Sequence, residues 1–169
     1  MPDKKKIIIV AHFCDYAIEN TNNRFNYLAL MLYKNGYEVE LITSSFSHRD
    51  KKQRVKIENR GETYKITLIH EPSYQKNISL KRLFISHRTF AKNLEYYLEN
   101  NQKPDLIYCA FPSINAADVA SRYATNNNIP FIIDIQDLWP EAFQMAFSIP
   151  IISDVIFNPM INIVNNIYG

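Results

Sequence analysis

Short apolar runs alternate along this chain with longer stretches in which apolar residues return every three or four positions. "KKIIIVAHF" (5–13) is a β-branched run led by lysines, the pattern of a strand buried on both faces of a parallel sheet. From Arg24 to about Lys34 the period becomes helical, with Phe25, Leu28 and Leu32 turned inward. The Asn-rich "IENTNN" before it offers N-caps, and Asn35-Gly36 after it is a helix stop. "YEVELITS" predicts a second strand and "YKITLIH" a third, whereas Ser47 to Gly61 is polar and without period. Past the loop "EPSYQKN", the residues Leu80, Leu83, Phe84, His87, Phe90, Leu94 and Leu98 fall on one helix face, which Lys103-Pro104-Asp105 ends. "DLIYCAF" predicts a fourth strand, "SINAADVASRYATNNN" a helix closed by asparagines, and "IPFIIDI" a fifth strand. A short helix is expected after Trp139-Pro140.

Strand–helix alternation of this kind implies an α/β fold: a doubly wound parallel sheet, Rossmann-like, covered by helices on both faces with right-handed crossovers. The length of 169 residues fits one domain spanning 1–169. The apolar end, "IPIISDVIFNPMINIVNNIYG", is helix-like and interrupted by Pro159. A doubly wound sheet normally adds another strand after such a helix, so the chain reads as truncated.

Composition changes the picture mainly by exclusion. With 47% hydrophobic and 13% aromatic residues the chain can fill a core. A net charge of +2 is too small to announce a nucleic-acid binder. Cys14 and Cys109, expected on adjacent strands, make no disulfide framework; reduced, buried thiols fit a cytoplasmic setting. The N-terminus lacks the apolar length and small-residue cleavage site of a signal peptide, and no apolar run reaches transmembrane length. There is no GxGxxG after strand one, no GxxxxGK[ST], no HExxH or CxxC, and no GxSxG. Neither a metal nor a cofactor is expected.

In open parallel sheets ligands bind beyond the carboxyl ends of the strands. Candidates there are His12, Cys14, Asp15 and the loop through Asn23 to Arg24 after strand one, and Ser44, Ser45 and His48 after strand two. His70, Glu71, Tyr74, Lys76 and Asn77 follow strand three, and Phe111, Pro112 and Ser113 follow strand four. Strand five delivers Asp134, Gln136, Asp137 and the lone tryptophan, Trp139.

Four stretches carry a family likeness: "NNRFNYLALMLYKNGYEVELITSSFSH", "EPSYQKNISLKRLFISHRTFAKNL", "PDLIYCAFPSINAADVA" and, most specific, "FIIDIQDLWPEAF" with its D-x-x-D-L-W-P pattern. Together they make the chain resemble the N-terminal half of bacterial family 4 glycosyltransferases of the GT-B fold, nearest to those building capsular, O-antigen or exopolysaccharide repeats. The resemblance implies retaining transfer of a sugar from a nucleotide-sugar donor to a polyprenyl-diphosphate-linked saccharide. The donor would be held mainly by an absent C-terminal domain, and this half would shape the acceptor side. It further implies a cytoplasmic protein, peripheral at most on the inner face of the membrane. Loop one, "CDYAIENTNN", departs from the glycines of many members, and "CAFPS" stands where some carry a histidine.

Each candidate also has a plainer role. Asp137, the first choice for catalysis, is placed to orient an acceptor hydroxyl or stabilise positive charge at the sugar carbon, and is equally an N-cap. Asp134 lies nearer the strand interior and reads as structural, tied to a neighbouring loop's amides. Trp139 suits sugar stacking or packing. Arg24, opening a helix, suits a phosphate or solvent, and Asp15, Asn23 and Ser113 join it as substrate-binding candidates. Lys76, Arg82 and His87 are placed to meet a lipid-linked diphosphate, though His87 falls on the apolar stripe and also reads as core. The run "HRDKKQRVKIENR" reads as a solvated loop, worth about 1 kcal/mol per basic residue beside an anionic membrane. The tail from Ile149 to Tyr168 reads as packing on the missing part of the domain in preference to lying on a membrane. Rival identities are a non-catalytic acceptor- or membrane-binding subunit of a two-chain transferase and a GT-B sugar epimerase, which the D-L-W-P stretch does not suggest.

Overall fold

In the computed structural model, residues 4–15, 23–54, 64–75, 85–136 and 161–167 are described. In chain order they form β1 (Lys6–Val10), α1 (Arg24–Lys34), β2 (Glu38–Ser44), β3 (Phe46–Ser47), β4 (Lys52–Gln53), β5 (Lys65–Ile69), α2 (His87–Glu99), β6 (Leu106–Phe111), α3 (Ile114–Asn126) and β7 (Phe131–Ile135). Five strands make one parallel sheet in the order β5-β2-β1-β6-β7. The chain winds outward from β1 to one edge, then returns to β6 on the other side. This is the Rossmann-like doubly wound order, with its reversal point between β1 and β6.

Period-two alternation decides which helix each strand residue meets. Ile7, Ile9, Val39 and Leu41 pack with Phe25 and Ala29 of α1 on one face. Ile8, Val10, Ile42, Ile107 and Cys109 pack with Phe90 and Leu94 of α2 and with Ala117 and Ala120 of α3 on the other. The small alanine face of α3 lets that helix come close to the sheet and to α2.

The helix ends follow the sequence signals. Asn23 caps α1, its Oδ1 accepting from Phe25 N at 2.9 Å. Gly36, at φ 91°, takes the left-handed turn after α1, and the Tyr37 amide reaches back to the Leu32 carbonyl at 3.3 Å. Asn128, at φ 53°, does the same after α3, with the Ile129 amide on the Ala124 carbonyl at 2.9 Å.

Two expectations need correction. The segment after Ser47 is not all loop: β3 and β4 pair as a short antiparallel ribbon. Nor is its basic run merely solvated. The Arg54 side chain is only 7% exposed and donates to the carbonyls of Ser44 at 2.8 Å and Cys14 at 3.1 Å, stapling two strand-end loops together. At the far end, residues 161–167 are helical, with Val164 buried and Ile163 and Ile167 half-buried against the core shared by α2 and α3; the rest of the apolar tail lies outside the described residues. Among the described residues no helix is long and apolar enough to cross a membrane.

Candidate functional site

The sheet's reversal point opens into a crevice of about 320 Å³, large enough for a small ligand. His12 and Phe13 from the end of β1, Asn23 and Arg24 from the start of α1, Ser113 from the start of α3, and Gln136 after β7 line it. Parallel strands end level here, which is why residues far apart in sequence meet at one edge.

Beneath the crevice lies a buried polar network that the strand ends assemble. His12 follows β1, Ser44 ends β2, Glu71 follows β5 and Ser113 follows β6. His12 Nδ1 lies 2.6 Å from Ser113 Oγ, and His12 Nε2 lies 3.1 Å from Glu71 Oε2. Ser44 Oγ donates to Glu71 Oε1 at 2.6 Å, and Ser86 Oγ donates to Glu71 Oε2 at 2.6 Å. Glu71 is fully buried (0% exposed), and His12 and Ser113 are each 2% exposed. The His12 ring is clamped face to face between Phe13, centroid 4.2 Å away, and Phe90, at 3.8 Å.

Burial pushes the Glu71 carboxyl upward, but the hydrogen bond and charge of His12, with the hydroxyls of Ser44 and Ser86, outweigh it and bring it down to about 2. Glu71 is therefore a carboxylate at neutral pH and can only accept. His12 Nε2–H donates to it, and in the tautomer that carries its hydrogen there, Nδ1 is the acceptor and Ser113 the donor. Ser113 occupies the N-cap position of α3 without capping it, because its hydroxyl is held by His12 instead.

At the crevice wall Arg24 pairs with Asp134 of β7. The arginine side chain is 56% exposed while that of Asp134 is 11% exposed, so the carboxylate anchors a guanidinium that still faces solvent. This corrects the expected partner of Asp134, which is a side chain and not a loop amide. Burial also raises the nearby Tyr108 phenol; Arg24 opposes that rise and Asp134 adds to it.

The structure thus brings together Asn23, Arg24 and Ser113. Asp15 is engaged elsewhere, 3.6 Å from Arg49 and 3.9 Å from Arg54, because the basic run folds back over loop one. His87 is a core residue, edge-on to the His12 ring at 5.1 Å, as the apolar stripe implied. Asp137, Trp139, Lys76 and Arg82 lie outside the described residues. Cys14 and Cys109 are both buried, but Cys14 lies beyond β1, and the two belong to the cores on opposite faces of the sheet. Burial, helped by the charge of Asp134, pushes the Cys109 thiol up to about 12. Among the described residues no group of three or more His, Cys, Asp or Glu side chains is placed to hold a metal ion.

His12, Glu71 and Ser44 count among the strand-end residues in the sequence, yet nothing there joins them. The signal was a polar residue ending or just following each of three β-branched strands. Ser86 carried no such signal, since it precedes an amphipathic helix like any surface serine.

No protein-family profile matches the chain, and no curated protein matches it. Among solved structures, the C-terminal domain of a hydrogenase from Pyrococcus furiosus is similar, with a TM-score of 0.50 and 14% identity over 78% of this chain and 92% of that one. At that identity the likeness concerns the α/β fold alone.

Proposed function

We propose that this chain is the acceptor-side half of a retaining glycosyltransferase of bacterial surface-polysaccharide synthesis. On this reading it acts in the cytoplasm against the inner face of the membrane. The whole enzyme moves a sugar from a nucleotide-sugar to a polyprenyl-diphosphate-linked saccharide, with a C-terminal domain supplying most of the donor contacts. The observation that carries the reading is the pairing of Arg24 with Asp134 across the crevice wall. Asp134 is the first acid of the D-x-x-D-L-W-P stretch, the most specific part of the family resemblance. That stretch therefore starts at the edge where a parallel sheet binds ligands.

In this assignment Arg24 meets an acceptor diphosphate. A guanidinium fork suits phosphate oxygens, and the carboxylate behind it limits the orientations it must lose on binding. Ser113 and Asn23 face the saccharide, and Asp137 orients the attacking hydroxyl.

The test is a titration of the chain with a polyprenyl-diphosphate-sugar analogue and, separately, a nucleotide-sugar, followed by Trp139 fluorescence. Analogue binding that weakens about tenfold to a hundredfold in Arg24→Ala is expected, the loss of one charge-assisted contact. Asp137→Ala weakens it as well. Tight nucleotide binding with no response to the analogue sinks the assignment.

A further inference from the structure

The network beneath the crevice has the parts of a covalent catalyst, and this inference does not rest on glycosyl transfer. We propose that Ser113 is a nucleophile, activated by His12 and held in place through Glu71, that acts on carboxylic esters bound in the crevice.

Three features carry the proposal. First, the hydroxyl, the ring and the carboxylate are joined in series at 2.6 and 3.1 Å, the reach that a nucleophile, its base and the orienting group require. Second, the series can run in one direction. Glu71 only accepts, so His12 donates to it from Nε2, and the tautomer this selects leaves Nδ1 to accept from Ser113 Oγ. Phe13 and Phe90 hold the ring plane, and the hydroxyls of Ser44 and Ser86 hold the carboxylate, so the base cannot swing away. Third, Ser113 opens α3 and lines the crevice. The helix ladder begins with Ala117 N on the Ser113 carbonyl at 2.9 Å. The amides of Ile114, Asn115 and Ala116 thus precede the ladder, and a helix start of this kind favours a developing oxyanion. A network serving stability alone needs neither a hydroxyl at the crevice nor a helix left uncapped by it.

The reaction balances without any added oxidant or metal. Ser113 Oγ bonds to the ester carbonyl carbon while its proton passes to His12 Nδ1 and the carbonyl pair moves onto oxygen. The tetrahedral adduct collapses, the C–O bond to the alcohol breaks, and the His12 proton goes to the leaving oxygen. Water then attacks the acyl-serine, giving one proton to His12; the acyl C–Oγ bond breaks, the His12 proton passes to Ser113 Oγ, and the acid departs. The sum is ester plus water to acid plus alcohol, with Glu71 stabilising the transient imidazolium throughout.

The full chain is treated with a fluorophosphonate probe and, in parallel, with p-nitrophenyl acetate, and the modified residue is located by peptide mass spectrometry. The expected result is a phosphonyl adduct on Ser113, absent in Ser113→Ala, with a burst of p-nitrophenol. His12→Gln slows labelling about a hundredfold or more, the contribution of a general base. Far-UV circular dichroism confirms that each variant is folded. Glu71→Gln serves as a second relay variant where it folds. No adduct on the folded chain overturns the proposal, as does an adduct on another residue. Labelling of Ser113 that His12→Gln leaves unchanged overturns the relay. The polyprenyl-diphosphate titration is read on the unlabelled parent chain and on Arg24→Ala, so the two assignments fail separately.

Discussion

Glu71→Gln is the most informative single substitution in this fold, because it keeps the side-chain shape and removes only the charge. The carboxylate accepts from His12, Ser44 and Ser86 while fully buried. Its pKa falls from the ordinary 4.5 to about 2. At 1.36 kcal/mol per unit, that is about 3 kcal/mol of native-state preference for the ionised form. A second route gives the same scale. An amide nitrogen in place of one oxygen faces a donor, and a buried donor left without an acceptor costs about 1–3 kcal/mol.

The pH dependence has a definite sign. The folded-state value is depressed, so the contribution is fully present above the unfolded value near 4.5 and is lost as pH falls towards about 2. At pH 7 the variant should be about 3 kcal/mol less stable than the parent in urea unfolding followed by circular dichroism. At pH 3 the gap should shrink to about half or less, because the parent carboxyl is then protonated as it unfolds. A variant within about 0.5 kcal/mol of the parent at pH 7, or a gap of equal size at both pH values, refutes the reasoning.

Two further predictions rest on separate observations. Phe90→Ala removes a fully buried ring that stacks on His12 and should cost about 3–5 kcal/mol by urea unfolding, with a smaller loss meaning that the cavity collapses. Cys109, with its thiol pushed up to about 12 by burial, should resist iodoacetamide at pH 8 in the native chain and react within minutes once the chain is unfolded in guanidinium; rapid native labelling would contradict its burial.

The main architecture was legible because its signals are local and periodic. The five β-branched runs, the α1 stripe from Arg24 to Lys34 and the Asn-Gly stop each encode one element without reference to the rest. What escaped was long-range in origin. The β3–β4 ribbon is two residues deep on each side, too short to show a period, and it is followed by Arg54, which reaches across to loop one. Asp134 read as structural, and it is, but its partner lies 110 positions away at Arg24. Pairings of that span follow from strand order, which no local pattern contains. The same reason hid the relay: His12 and Ser113 are 101 positions apart, and His12 and Glu71 are 59 apart.

The sheet carries buried charge at both ends, and the contrast between them separates stability from chemistry. At the amino ends Glu40 is met by Lys6 at 3.3 Å and Lys65 at 3.0 Å, with Thr67 and Tyr97 also on the carboxylate. Burial works to raise the Glu40 pKa, but the hydrogen bonds of Thr67, Tyr97 and Lys65 and the charge of Lys65 win and lower it. Both of its cationic partners are lysines, whose ammonium groups only donate. At the carboxyl ends the same kind of buried carboxylate instead meets an imidazole, whose second nitrogen passes the hydrogen bond on to a hydroxyl lining the crevice. An imidazole can donate from one ring nitrogen while accepting at the other, so it can carry the hydrogen bond from Glu71 on to Ser113. A structural role for Glu71 explains a cation beside it, but not a histidine that carries the hydrogen bond on to the crevice.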